Sequence, residues 1–186
     1  MNSICLRHSI RARLSKDVVF REVCTLRREV NINNWLVKEG YLKLSADGSG
    51  EEISILEYAD WPASKAYALG LNGLYLNLKG REKEGAVGAA ERRRLLDEIK
   101  SKLEALTDHQ NGKKVVSCAY ISEDNFSKDF IGGAPDIILG FDRGYRISDN
   151  SALGTLSPEM IMDNLGWWSG DHCVDPKKVP ASFIAN

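Results

Sequence analysis

The sequence is poor in the residues that would mark a special class. Proline occurs 5 times and glycine 16 times in 186 residues, too little for a collagen-like or low-complexity chain. Cys5, Cys24, Cys118 and Cys173 form no C-x-x-C pair and no spacing that would build a disulfide framework or a zinc knuckle, which points to a reducing compartment. No apolar run approaches the roughly 18 residues of a membrane span. The opening Met1-Asn-Ser-Ile-Cys-Leu-Arg-His8 also lacks the uninterrupted apolar centre of a secretory signal. The expectation is a cytoplasmic protein with no membrane partner.

An excess of one charge is missing too. The 25 Lys and Arg against 26 Asp and Glu leave a formal net charge of -1, so no strong positive field argues for a nucleic-acid partner. Residues 1–30 lean basic, with Arg7, Arg11, Arg13, Lys16, Arg21, Arg27 and Arg28 against Asp17, Glu22 and Glu29, but the charges are scattered. Residues 1–25 read as a poorly defined N-terminal arm in which Val18, Val19 and Phe20 make at most a short strand. Residues 26–186 read as one domain with a core of ordinary size.

What is present is mixed periodicity. Asn33 or Asn34 is expected to cap a short helix through Trp35 and Leu36 that Gly40 ends, with Tyr41, Leu42 and Leu44 opening a strand. Pro62 should push Trp61 into an extended loop. Tyr67 and Leu69, then Leu74, Leu76 and Leu78, recur at period two around a glycine turn and predict two strands. Leu95, Leu96, Ile99, Leu103 and Leu106 recur at helical spacing and predict an amphipathic helix over 89–106, with Glu98 and Lys102 as an i,i+4 pair. Strands are expected at 115–121, 136–141 and 145–147, and a helix start at Pro158. The alternation supports an α/β or α+β arrangement and leaves strand order open.

The densest chemistry lies near the end, in Trp167-Trp168-Ser-Gly170-Asp171-His172-Cys173-Val-Asp175-Pro176. Imidazole and carboxylate are suitable metal ligands, and glycine allows close backbone approach. On a regular strand Asp171 and His172 would diverge, so joint coordination needs a turn or irregular backbone. A surface turn is the plainer reading of that pair, and His8 and His109 are expected to face solvent.

Several stretches then resemble the C-terminal portion of the alkaline-phosphatase superfamily, in its type I phosphodiesterase and nucleotide pyrophosphatase branch. They are Leu26-Arg-Arg-Glu-Val-Asn-Ile-Asn-Asn-Trp-Leu36, Trp61-Pro-Ala-Ser-Lys-Ala-Tyr-Ala-Leu-Gly70, Gly73-Leu-Tyr-Leu-Asn-Leu-Lys-Gly-Arg-Glu82, Ala134-Pro-Asp-Ile-Ile-Leu-Gly140, Gly144-Tyr-Arg146 and Ser169-Gly-Asp-His-Cys-Val-Asp-Pro176. The resemblance implies part of a three-layer α/β sandwich with a mixed sheet and an inserted strand-helix region. It also implies phosphate-ester hydrolysis at a pair of divalent ions, zinc or manganese, which activate a Thr or Ser nucleophile.

Carried over by position, His172 matches the late histidine that closes one metal site. Asp171 is left with a supporting or turn-forming role, and Arg81 is expected to face solvent. The Asp-His-Gly motif that the family places just before the stretch resembling Leu26 to Trp35 has no counterpart in Val18-Val-Phe-Arg-Glu-Val-Cys24. Neither the nucleophile nor the earlier ligands are matched. The resemblance therefore implies a fragment that is inactive alone, either the product of a split or interrupted gene or one half of a pair whose N-terminal partner carries the nucleophile; the competing readings are a noncatalytic interaction domain and an active enzyme using a different site around Asp171, His172 and Asp175. An open sheet edge in such a fragment would favour self-association.

Overall fold

Period-two runs become strands and the leucine stripe becomes a helix, giving a mixed α/β domain with two main sheets. The computed structural model describes residues 17–20, 24–25, 27–45, 53–127, 132–166, 170–171, 174–178 and 182–185. Its elements begin with strands β1 (Asp17–Phe20), β2 (Cys24–Thr25) and β3 (Arg28–Val30), then helices α1 (Ile32–Lys38) and α2 (Ile55–Tyr58). A hairpin of β4 (Ala66–Ala68) and β5 (Gly73–Leu76) leads into the long helix α3 (Ala89–Glu104). There follow β6 (Val116–Ile121), α4 (Ser122–Asn125), β7 (Ile137–Phe141), β8 (Tyr145–Ile147), α5 (Asp149–Ala152), β9 (Ile161–Asp163), β10 (Gly170–Asp171) and β11 (Ser182–Ala185).

The larger sheet is antiparallel in the order β4-β5-β7-β6. Its strands alternate as a one-sided sheet must: Ala66, Ala68, Leu74, Leu76, Ile137, Leu139, Ala119 and Ile121 are buried, whereas Tyr67, Tyr75, Ile138 and Tyr120 on the opposite face are half-buried. Helix α3 packs against β6 and sends Leu95, Leu96, Ile99 and Leu103 into the same core. Burying four such side chains is worth roughly 6–12 kcal/mol as an upper bound. Each surface pair on the helix adds only about 0.3–0.5 kcal/mol, so packing fixes α3. The predicted Glu98–Lys102 pair forms at 3.8 Å. Glu98 also accepts from Tyr41 Oη at 2.5 Å, and Lys102 reaches Glu39 at 3.0 Å, so the pair serves to dock α1 and its C-terminal turn.

The smaller sheet has the order β8-β3-β9, with β3 parallel to β8 and antiparallel to β9. Val30, Ile147 and Ile161 lie in register and close the core beneath it. Two further strand pairs join β1 with β11 and β2 with β10.

Several local expectations are corrected. The cap of α1 is Asn31, whose Oδ1 accepts from the Asn34 N–H at 3.1 Å. Asn33 is inside the helix and spends its amide on Ala68 of β4, and Asn34 spends its own on Ser157. Residues 41–45 are not a strand. Gly40 takes φ +80°, and the N–H groups of Tyr41 and Leu42 turn back to the Leu36 carbonyl, leaving Leu44 a single bridge to Ala59.

Trp61 starts a short 3-10 helix (Trp61–Ala63) instead of extending, because Pro62 suits the first turn and Asp60 Oδ1 caps the Ala63 N–H at 3.2 Å. No helix starts at Pro158. The apolar residues after it pair with β3 as β9, so tertiary pairing overrides the local pattern. The expected turn at 47–50 lies outside the described residues. Among the described residues no helix is long and apolar enough to cross a membrane.

Candidate functional site

The second row of the smaller sheet carries two charged groups and a methionine. Register places Glu29 of β3 between Arg146 of β8 and Met162 of β9. Beside this row opens a cleft of about 560 Å³ whose lining includes Arg28, Glu29, Asp149, Glu159 and Asp163. Arg28 Nη1 donates to Asp163 Oδ1 at 2.7 Å, and Arg146 donates to Asp149. Four carboxylates thus line the cleft with one guanidinium group, that of Arg28, and the cleft is acidic on balance.

Glu29 is half-buried there. Burial pushes its pKa above the ordinary glutamate value, Arg146 pulls it down and Asp149 pushes it up again, with the upward effects winning. Such a group exchanges a proton closer to neutral pH than an exposed glutamate does. Among the described residues lining the cleft there is no Ser, Thr, Cys, Lys or His, so the chemistry they provide is that of carboxylate and guanidinium groups.

Beneath the cleft Arg28 turns inward as well as outward. Its Nε donates to Asp108 Oδ2 at 2.9 Å and its Nη2 to Asp108 Oδ1 at 3.2 Å. Asp108 also accepts from the Gln110 N–H, from Asn111 Nδ2 and from Tyr145 Oη. These bonds and the guanidinium outweigh burial and hold the Asp108 carboxyl below its ordinary range. The pair has no sequence signal beyond a turn-forming Asp at 108, because its members are 80 positions apart.

His172, the expected metal ligand, lies outside the described residues, as does His8. Asp171 is placed in β10, opposite Cys24 of β2, which corrects the surface-turn reading for that residue. His109 is exposed, as expected. Asp175 is buried and accepts from Tyr120 Oη at 2.8 Å and from the Lys177 N–H at 3.0 Å. It packs against Gly140, where a Cβ would stand 3.0 Å from its own. Asp175 anchors the C-terminal segment to the larger sheet and is not open to a ligand.

Arg81 is exposed, as expected, and is bonded as well. Its Nη2 donates to the Leu76 carbonyl at 2.6 Å and to Asp136 Oδ2 at 2.7 Å, and its Nε to Glu82 at 2.8 Å, so it also clamps β5 to the start of β7. Among the described residues no three His, Cys, Asp or Glu side chains converge to hold a cation. Set against protein families, curated proteins and solved structures, the chain matches none of them.

Proposed function

We propose that this chain is the C-terminal portion of a metal-dependent phosphodiesterase or nucleotide pyrophosphatase of the alkaline-phosphatase superfamily, folded as part of its three-layer sandwich, cytoplasmic and inactive alone. The observation that carries the reading is the register of β2 with β10. Asp171 stands opposite Cys24, so the segment leading into His172 runs beside the segment where the resemblance expects an Asp-His ligand pair. In the family a pair of divalent ions activates the nucleophile and neutralises charge on the transferring phosphoryl group. Of the usual ligand set this chain offers His172, and its 186 residues hold no match to the nucleophile.

The distribution of polar side chains also supports a shared scaffold. Arg28, Asn31, Asn33, Asn77, Asp136, Arg146 and Asp175 all fall in the stretches that carry the resemblance, and all are buried. A buried polar group is costly unless bonded, so positions of this kind tolerate few replacements. The partner implied is an N-terminal half carrying the nucleophile and remaining ligands, and the second reading is a noncatalytic interaction domain.

The test is hydrolysis of bis(p-nitrophenyl) phosphate by the purified chain with Zn²⁺ and, separately, Mn²⁺. No turnover above a metal-only blank is expected. A rate well above it that His172→Ala abolishes would overturn the inactive-fragment reading. Metal-dependent hydrolysis restored by coexpressing a polypeptide that ends in Asp-His-Gly would support complementation over a noncatalytic role.

A further inference from the structure

Two Asn-Gly steps occur in the sequence, Asn72-Gly73 and Asn111-Gly112. A glycine after asparagine has no Cβ to keep its backbone nitrogen away from the side-chain amide carbon. That nitrogen can attack the carbon and close a succinimide ring. The fold treats the two steps differently.

Asn72 is locked. It is 6% exposed, its side-chain amide donates to the Leu139 carbonyl at 2.8 Å, and its own carbonyl accepts from the Leu139 N–H at 2.9 Å. Gly73 belongs to β5 in register with Ile138 of β7, and a Cβ there would stand 2.9 Å from both the Leu69 carbonyl oxygen and Pro135 Cγ. Swinging the amide carbon onto the Gly73 nitrogen would require the sheet to open.

Asn111 is exposed, in the turn that the Thr107–Lys114 bridge closes after α3. Gly112 takes φ +68°, and a Cβ there would meet nothing within 4 Å, so the reacting atoms have room. The side-chain carbonyl is already polarised: Oδ1 accepts from the Lys113 N–H at 2.8 Å and lies 3.1 Å from Tyr145 Oη. Donors so placed stabilise the negative charge that develops on the oxygen when a nucleophile adds to the carbon. The obstacles are local. The Gly112 N–H must release the Asp108 carbonyl, at 2.7 Å, and Nδ2 must release Asp108 Oδ2 and Tyr145 Oη, both at 3.0 Å.

We propose that Asn111 is a site of spontaneous deamidation in the folded protein, and that the change loosens the anchor of β3. The Gly112 nitrogen bonds to Asn111 Cγ, the Cγ–Nδ2 bond breaks, and Nδ2 leaves as ammonia, its added hydrogen being the one that the Gly112 nitrogen gives up through solvent. Water then opens the succinimide at either carbonyl, giving aspartate or, with the backbone rerouted through the side chain, isoaspartate. Either product exchanges an amide that donates to Asp108 and Tyr145 for a carboxylate. Two like charges then meet where the amide stood 3.0 Å from Asp108 Oδ2, the same oxygen that accepts from Arg28 Nε at 2.9 Å. The proposal stands apart from the phosphodiesterase reading, which assigns no role to this turn.

Ageing the full chain at mildly alkaline pH, followed by tryptic digestion and mass spectrometry, tests it. The two steps fall in separate peptides, residues 66–79 and 103–113. Peptide 103–113 is expected to gain the mass of an amide-to-acid exchange on the order of tenfold faster than peptide 66–79, because a surface turn opens at lower free energy than a sheet. In concentrated urea the two rates should converge. A difference that persists there would trace the selectivity to local sequence and overturn its structural cause. Asn111→Gln should remove the gain from peptide 103–113. Asn111→Asp, which supplies one product directly, should lower the urea midpoint with the circular dichroism spectrum unchanged. Equal rates at both steps in the folded chain, no gain at Asn111, a gain that persists in Asn111→Gln, or an Asn111→Asp chain as stable as the parent would each overturn the proposal.

Discussion

Arg28 and Asp108 form a two-pronged ion pair, at 2.9 and 3.2 Å, that joins the central strand of the smaller sheet to the loop following α3. Both side chains are almost wholly removed from water. Removing one partner leaves the other charge buried, a defect that costs about 3–5 kcal/mol, whereas replacing both by apolar groups is often tolerated. Asp108→Ala should therefore lose that much in urea unfolding, and Arg28→Met with Asp108→Leu should recover part of it. Equal stability of Asp108→Ala and the parent would remove the pair from the account of the fold.

Acid should destabilise the protein through a small set of buried carboxylates. In Asp175, as in Asp108, burial pushes the carboxyl up, but Ser117, the Lys177 N–H and Tyr120 outweigh it and hold it below the ordinary range. A pKa depressed by folding contributes stability in full above the unfolded value, near 4, and loses it as pH falls through the folded value. Melting temperature should change little between pH 7 and about 5, then drop below about 4. Asp175→Asn should flatten that drop, and an unchanged acid limb would assign it to other groups.

Glu29 carries the opposite sign. Its carboxyl is raised on folding, so the native state favours the protonated form and bears a cost at neutral pH that vanishes below the unfolded value. Glu29→Gln should leave stability at pH 7 equal or slightly higher. A clear loss would mean that its attraction to Arg146 outweighs its burial.

Gly85 sits where no side chain fits. A Cβ there would fall 2.1 Å from the Leu78 carbonyl oxygen, and that backbone is held by the Lys79 N–H bond to Val87. Gly85→Ala should destabilise by several kcal/mol, at the severe end of single changes. Gly88→Ala, which meets nothing within 4 Å, is the matched comparison. A thermal melt of each separates the steric effect from a general loss of glycine.

Asn33 replaces a missing strand. Its Oδ1 accepts from the Ala68 N–H at 2.9 Å and its Nδ2 donates to the Ala68 carbonyl at 3.0 Å, so one side chain satisfies the outer edge of β4 at that residue. Asn33→Ala would strand both backbone groups, at a cost of about 1–3 kcal/mol for each left unpaired. Hydrogen exchange at the Ala68 amide should accelerate in parallel.

The parts of this fold legible in the sequence were those where one pattern settles the matter. The stripe from Leu95 to Leu103 has the spacing of an amphipathic helix, the period-two recurrence of Leu74 and Leu76 that of a strand, and the apolar run at 137–141 is short enough to be a buried strand. The smaller sheet was harder to read. Residues 161–163 are three positions long, and their strand state is decided by pairing with Val30 and its neighbours, far away in the chain. The α1 cap lies two or three residues before the expected Asn33 or Asn34 because three asparagines occur close together, and only the folded structure shows which ones are committed to Ala68 and Ser157. In the candidate site, the register of Asp171 with Cys24 and the Arg28–Asp108 pair likewise join distant segments, which a local pattern does not encode.

The placement of β3 between β8 and β9 also dictates when the molecule can close. Val30 finds Ile147 on one side and Ile161 on the other, so both neighbours of this strand emerge from the ribosome long after it does. Loop-closure entropy must be overcome before these distant contacts contribute. During translation the β4–β5 hairpin and α3 can organise from local contacts, while β3 waits with its edges unpaired. The segment from Tyr145 to Asp163 therefore acts as the latch of the fold, and a nascent chain stopped before Tyr145 would present β3 without either partner.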